Sequence, residues 1–387
     1  MKNMKKILAM MLMMASVLFF ACNDDEDETL SPDEAKAELE QVSTDMSTYM
    51  NEMESSDGMA ALNALMIKPN PFAVVKSTDY SDSDVFKNIQ KYLLPANYLE
   101  LKSNEKAIAE NRFDFNAWVG TYTWNATDEN WDIQSNTPPD KIIIEYPTEG
   151  SQTNNATLTI HTYEDVEITE TDDYGTYTSY EPTTIIADIY VNDVRVVDIS
   201  MNANWITSGE TAGEPTSMDV SVYLTPFEFT VDFSNSGNNA SVGASIIFDN
   251  SQLFSTGLSA FFEEPELDDT PLTINGYLQF FNVRFNVSIN AKTIEEIFED
   301  MEEEPYPYNT PEELVAALNK EFDANVSVDG VKAADIELAI NENTQAIDIV
   351  FVYSDGSTES ALPYFESFAT DLESFFTGLE EHYSTWG

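Results

Sequence analysis

The sequence holds one cysteine, Cys22, and two histidines, His161 and His382, among 387 residues. One cysteine excludes an internal disulfide, and two histidines argue against the usual zinc or di-iron centre. Bases are scarce too: Lys+Arg 17 stand against Asp+Glu 70, a formal net charge of -53. A field of that sign repels phosphate backbones and leaves too few cations to displace their counterions, which excludes nucleic acid as a partner. There is no Gly-rich phosphate loop, no G-x-S-x-G elbow and no H-E-x-x-H. No fixed-length repeat is visible, against solenoids and propellers. What is present is apolar: 42% hydrophobic and 12% aromatic residues mark a folded chain. The length suits two or three domains, or one large β domain with extensions.

The N-terminus carries Lys2, Lys5 and Lys6, then an apolar run from Ile7 to Ala21 broken only by Ser16. That run is shorter than the roughly 20 residues of a permanent membrane helix, so it reads as an export leader over residues 1–21. It ends Phe19-Phe20-Ala21-Cys22, followed at once by the acidic run Asn23, Asp24, Asp25, Glu26, Asp27 and Glu28. A small residue before the lone Cys resembles a bacterial lipoprotein signal, although Phe19 stands where that pattern usually has Leu. The acidic run resembles the export tag of surface lipoproteins of the Bacteroidetes. The resemblance covers about the first thirty residues. It implies acylation of Cys22, a lipid anchor in the outer membrane and exposure at the cell surface; several acyl chains hold far better than one, at about 0.8 kcal/mol per buried CH₂. Removing the leader takes three lysines and no acid, so the mature body is more acidic still. Such a body is repelled by anionic lipid and gathers divalent cations as loose counterions. Asp79, Asp82 and Asp84 form the nearest thing to a calcium cluster, but they lack the Gly and the distant Glu of an EF-hand loop, so no metal site is assigned.

Behind an acidic tether over 22–30, residues 31–112 read as helical. Ser31-Pro32-Asp33-Glu34 is a capping box. Ala35, Leu39, Val42, Met46, Tyr49 and Met53 then repeat on one helical stripe, which favours packing on the body over a coiled coil. Further helical pieces are expected over Met59 to Met66 and Asp82 to Leu94. Over 113–292 the period becomes two and the residues turn to Thr, Val, Ile, Tyr and Phe, an antiparallel β region. Ile185 to Val191, a turn at Asn192-Asp193, and Val197 to Trp205 form a hairpin; the Ser234 to Asn239 loop, Asn275-Gly276 and Asp355-Gly356 signal others. In two long apolar stretches the alternation changes phase: Met218 to Leu224 on even positions gives way to Phe227 to Phe233 on odd ones, and Leu278 and Phe280 to Phe281 through Ile289. Each is read as one long strand bent at a bulge. Residues 293–387 form a mixed end packed with the β region: a second capping box at Thr310 to Glu313 opening a helix to about Phe322, short strands, and a helix with the stripe Phe365, Phe368, Leu372, Phe375, Phe376, Leu379 and Tyr383. The fold class is therefore α+β: N-terminal helices, a large curved antiparallel sheet shaped as a half-barrel or sandwich, and a C-terminal helix packed on it.

No residue is singled out as catalytic, and no cofactor is called for. His161 reads as an exposed strand residue and His382 as a cation near a helix end. Trp118, Tyr122, Trp124 and Trp131 crowd the start of the β region, the first three on one parity of a strand. Core packing is the plain explanation; an exposed face would make a glycan platform, and a face lining a hollow sheet an apolar ligand site. The leading expectation is non-enzymatic binding of glycan or another envelope component. The alternatives are a carrier for a lipophilic ligand and a glycoside hydrolase, which needs only two carboxylates at a suitable separation.

Overall fold

A computed structural model describes residues 29–69, 71, 112–172, 175–209, 211–263, 270–301, 307–308, 310–341, 344 and 346–366. The leader, Cys22, the acidic run Asn23 to Glu28, Asp79, Asp82 and Asp84, the helix expected over Asp82 to Leu94, and the stripe beyond Phe365 with His382 lie outside the described residues.

Five helices are described: α1 (Pro32–Glu54), α2 (Asp57–Met66), α3 (Phe115–Trp118), α4 (Ala291–Asp300) and α5 (Pro311–Leu318). The strands are β1 (Gly120–Asn125), β2 (Asn130–Ser135), β3 (Ile142–Tyr146), β4 (Ala156–Asp172), β5 (Gly175–Val191), β6 (Val194–Trp205), β7 (Pro215–Leu224) and β8 (Phe227–Ser236). They continue with β9 (Asn239–Phe248), β10 (Ser251–Phe261), β11 (Thr273–Phe280), β12 (Val283–Ile289), β13 (Phe322–Val328), β14 (Val331–Ile340), β15 (Ile347–Tyr353) and β16 (Thr358–Ser360). All 16 join one open sheet whose order follows the sequence from β16 back to β3 and ends β1, β2. The expected α+β class with a large sheet is what forms. Pairing is antiparallel from β3 to β7 and from β10 to β16, while β1 runs parallel to β3 with Gly120 opposite Ile142. The parallel pair arises because the β1–β2 hairpin folds outward and the chain returns to the inner edge of β1.

The two phase changes have a different origin from the one expected. Neither stretch is a bent strand. Leu224 and Phe227 flank a turn at Thr225-Pro226 and are both buried; Phe280 pairs with Val283 across Phe281-Asn282. A two-residue turn places residues i and i+3 opposite each other on one face, so the buried parity flips across every such hairpin. Asn192-Asp193 turns as expected, with φ 48 and 64, values that belong to the hairpin turn matching strand twist. The Ser234 to Asn239 loop is tighter than expected, since β8 runs to Ser236 and Gly237-Asn238 make the turn. Asn275-Gly276 is no turn: both lie inside β11, Gly276 buried between Leu258 and Val287. Asp355-Gly356 does join β15 to β16.

The described chain divides into two compact units. Unit one comprises residues 29–49, 234–246 and 250–366; unit two comprises residues 50–233 and 247–249. In unit one the capping box forms, Ser31 Oγ accepting from Glu34 N at 3.4 Å and Ser31 N donating to Glu34 Oε2 at 3.1 Å. The α1 stripe packs on the body: Ala35, Leu39, Val42 and Met46 are buried, Tyr49 meets the Phe281 ring at 5.7 Å, and Glu38 accepts from Asn282 at 3.0 Å. Thr310 caps α5, accepting from Glu313 N at 3.3 Å. That helix stops at Leu318, short of Phe322, because the Asn319 amide pairs with the backbone of Leu338 in both directions at 2.9 Å and turns the chain into β13. Phe285, Phe351 and Phe365 form the aromatic centre, with Phe285–Phe365 at 5.4 Å and Phe351–Phe365 at 6.1 Å. The first ring of the C-terminal stripe thus packs on the sheet as expected.

In unit two, Ile142, Ile144, Tyr146, Leu158, Ile189, Val197, Met201 and Met218 form the core under α2. Tyr146 donates to the Ala61 carbonyl of α2 at 3.0 Å. Register shifts at Ile160/Thr162, Glu164/Asp165, Ile189/Tyr190 and Asn204/Trp205 bend these strands locally.

Candidate functional site

The four aromatic residues lie in unit two as two pairs, not as one strand face. Trp118 ends α3 before β1 begins, buried, and its carbonyl accepts from Tyr122 Oη at 2.8 Å. It was expected on the strand; Gly120, at φ 143, starts the strand two residues later. Tyr122 is buried as well, and burial pushes its phenol up to about 12. Trp124 and Trp131 are direct cross-strand partners, their rings edge-to-face at 5.2 Å. Trp131 is buried and its indole N–H donates to the Pro69 carbonyl at 2.7 Å.

Trp124 alone of the four is half-buried. The Lys68 ammonium lies 5.2 Å from the centre of its ring, and Asn154 Nδ2 donates to its carbonyl at 2.9 Å. The neighbouring tip is polar and ordered: Asn125 Oδ1 accepts from Thr127 N at 3.0 Å, and Asn125 Nδ2 reaches Asp128 at 3.1 Å and Asp132 at 3.2 Å. A clamped indole with a cation over it thus stands beside a rim of amides and carboxylates, aromatic, cationic and hydrogen-bonding groups side by side. Lys68 and Asn154 carried no signal in the sequence, because only the fold brings them beside Trp124.

The charged clusters of each unit are internally satisfied. Arg112 grips Asp165, with Nε at 2.9 and 3.1 Å from its two oxygens and Nη2 at 2.7 Å; the Asp165 side chain is only 3% exposed. The hydrogen bond to Asp165 raises the Arg112 guanidinium further, and Tyr180 lies 5.3 Å beneath it. His161 is the extra residue of a β4 bulge, exposed as expected, with Nε2 2.7 Å from Asp188 Oδ2. In unit one, Glu359 accepts from Lys36 at 2.8 Å, from Tyr364 at 3.2 Å and from Tyr353. Burial pushes the Glu359 carboxyl up, but those donors outweigh it and hold it below the ordinary range. Tyr364 is pushed up to about 12, chiefly by burial and then by the charge of Glu359.

Tyr122 and Tyr364 therefore favour their neutral forms when folded. The stability they contribute is complete below the ordinary phenol value near 10 and is lost as pH rises through about 12. Alkaline titration followed by tyrosinate absorbance and circular dichroism should leave part of the phenol signal unionised near pH 10 and release it as pH rises through about 12; ionisation of all 18 tyrosines near pH 10 with the fold intact would contradict it.

Among the described residues no group of three or more His, Cys, Asp or Glu is placed to hold a metal, and no helix is long and apolar enough to cross a membrane. No protein family matches the chain, and no curated protein does. The solved structure of a porin-like protein from Bacteroides vulgatus is similar over 52% of this chain and 95% of that one, at 10% identity. The TM-score of that likeness is 0.19, too low to bear on fold or function.

Proposed function

We propose that the chain is a lipid-anchored protein of the outer membrane, exposed at the cell surface, that binds glycan without transforming it. The leader over residues 1–21, Cys22 directly behind it and the acidic run that follows support the location. The clamped, half-buried indole of Trp124 supports the binding role: it lies edge-to-face on the buried Trp131, with the Lys68 ammonium 5.2 Å from its ring centre. The carrier reading has less support, since the apolar side chains it would offer to a ligand, among them Ile142, Ile144, Ile189 and Val197, are packed away. Divalent cations serve this body as diffuse counterions.

Full chain recovered from membranes should yield an N-terminal peptide that begins at acylated Cys22. On a glycan array, Trp124→Ala should lower binding about tenfold, the loss typical of one aromatic anchor. A bare Cys22 thiol behind an intact leader would remove the anchor, and equal binding by Trp124→Ala would remove the site.

A further inference from the structure

The chain contains three arginines, Arg112, Arg195 and Arg284. Two are neutralised, Arg112 by Asp165 and Arg195 by Asp198. Among the described residues Arg284, on β12 in unit one, has no carboxylate partner, although the chain has 70 acidic residues to 17 basic ones. Neutral groups hold it instead. Its guanidinium stacks 3.7 Å from the centre of the Tyr277 ring, Nε donates to Asn286 Oδ1 at 3.0 Å, and Nη1 reaches Gln279 Oε1 at 3.4 Å.

Each support is itself fixed. Asn286 is 4% exposed, and its amide donates to Asn325 Oδ1 at 3.0 Å. Tyr277 lies over Gly257 so closely that a Cβ there would come within 2.8 Å of the ring, so the ring has no room behind it. Gln279 Nε2 is engaged with the Phe281 carbonyl at 2.9 Å. A guanidinium has five N–H donors. Two are used here, and among the described residues Nη2 and the second N–H of Nη1 have no acceptor.

We infer that this polar face of β11, β12 and β13 is a carboxylate-binding subsite for an acidic sugar, with Arg284 as its charged centre. The free Nη1 and Nη2 edge matches the two oxygens of a carboxylate, the bidentate geometry in which arginine is strongest. Stacking and the Asn286 bond hold the fork before ligand arrives, so little side-chain freedom is lost on binding. On β13 the half-buried Asn325, whose Oδ1 accepts from Asn286, has its Nδ2 to donate to a sugar hydroxyl, and Ser327 Oγ, which donates to the Arg284 carbonyl at 3.4 Å, has lone pairs to accept from one. The same ladder row continues to Lys332, which Asp335 already neutralises at 2.6 Å, so Arg284 remains the charge available to a ligand. This subsite uses residues of unit one alone and depends on neither the anchor nor Trp124.

The test is calorimetric titration of the full chain with trigalacturonate at about 150 mM salt, where fields reach only ~8 Å. Neutral galactotriose, inorganic phosphate and a peptide with a free C-terminal carboxylate form the other arms. Trigalacturonate should bind at least tenfold tighter than each of the other three. Arg284→Lys, which keeps the charge and loses the fork, should weaken trigalacturonate binding about tenfold. Ser327→Glu sets a carboxylate opposite Arg284 in the ladder; it should abolish binding while leaving the urea midpoint unchanged or raised, which separates an occupied site from a misfolded one. Trigalacturonate binding no tighter than galactotriose, phosphate or the peptide, or equal binding by Ser327→Glu, would overturn the assignment.

Discussion

Truncation of Phe285 to alanine should destabilise unit one by about 3–5 kcal/mol, the range for deleting a buried aromatic side chain. Phe285 is fully buried on β12, opposite Leu278 on β11 and Val326 on β13, with the Phe365 ring 5.4 Å away. Its removal leaves a void between the middle of the sheet and the helical residues 362–366, and neither strand can close it without breaking its ladder. Phe365 is held there by ring contacts to Phe285 and Phe351, so it should loosen with the change. Urea unfolding followed by circular dichroism should show a lower midpoint, and hydrogen exchange should rise first over residues 362–366. A midpoint within error of the unaltered chain would mean that the aromatic centre is not where the unit derives its stability.

Gly58→Ala should also destabilise, against its helix propensity. Gly58 lies inside α2, where alanine is favoured by about 1 kcal/mol. A Cβ there would stand 2.9 Å from the Val196 carbonyl oxygen and 3.1 Å from Leu224 Cα, backbone atoms of unit two that cannot swing aside. Overpacking against backbone forces α2 away from β6 and β7, with a net loss of roughly 1–3 kcal/mol. The hydrogen bond from Tyr146 to the Ala61 carbonyl, one turn along α2, would stretch with it. A raised melting temperature in Gly58→Ala would show that propensity wins and that this contact is loose.

These two positions differ in how far the sequence announces them. Phe285 belongs to an alternating run whose period of two marks it as inward-facing before any fold is known. Gly58 gives no such signal, because a close approach depends on which strand lies opposite. The same division runs through the fold. Caps were legible at Ser31 and Thr310 because a cap is local, and the Asn192-Asp193 turn for the same reason. The parity flips at Leu224/Phe227 and Phe280/Val283 were visible but ambiguous, since a bulge and a two-residue turn shift the buried face alike. Asn275-Gly276 misled because a turn-prone pair also fits a strand where a neighbour crowds the backbone. The parallel partnership of β1 and β3 was not legible, nor was the stack of Arg284 on Tyr277, whose geometry depends on the turn at Phe281-Asn282. For the aromatic residues, the crowding was legible but not which ring is half-buried.

The order of the sheet bears on how the chain reaches its native state. Along most of the antiparallel ladder a strand has its first neighbour in the segment made just before it, joined by a short connection; β12 and β13 are the exception, with α4 and α5 between them. Closing such small loops costs little entropy, and assembly can proceed as a zipper without a strand waiting for a remote mate. β3 in addition must bypass β2 to reach β1. That step is the natural place for a slow phase, and shortening the segment between β2 and β3 should alter the refolding rate more than an equal change in any hairpin.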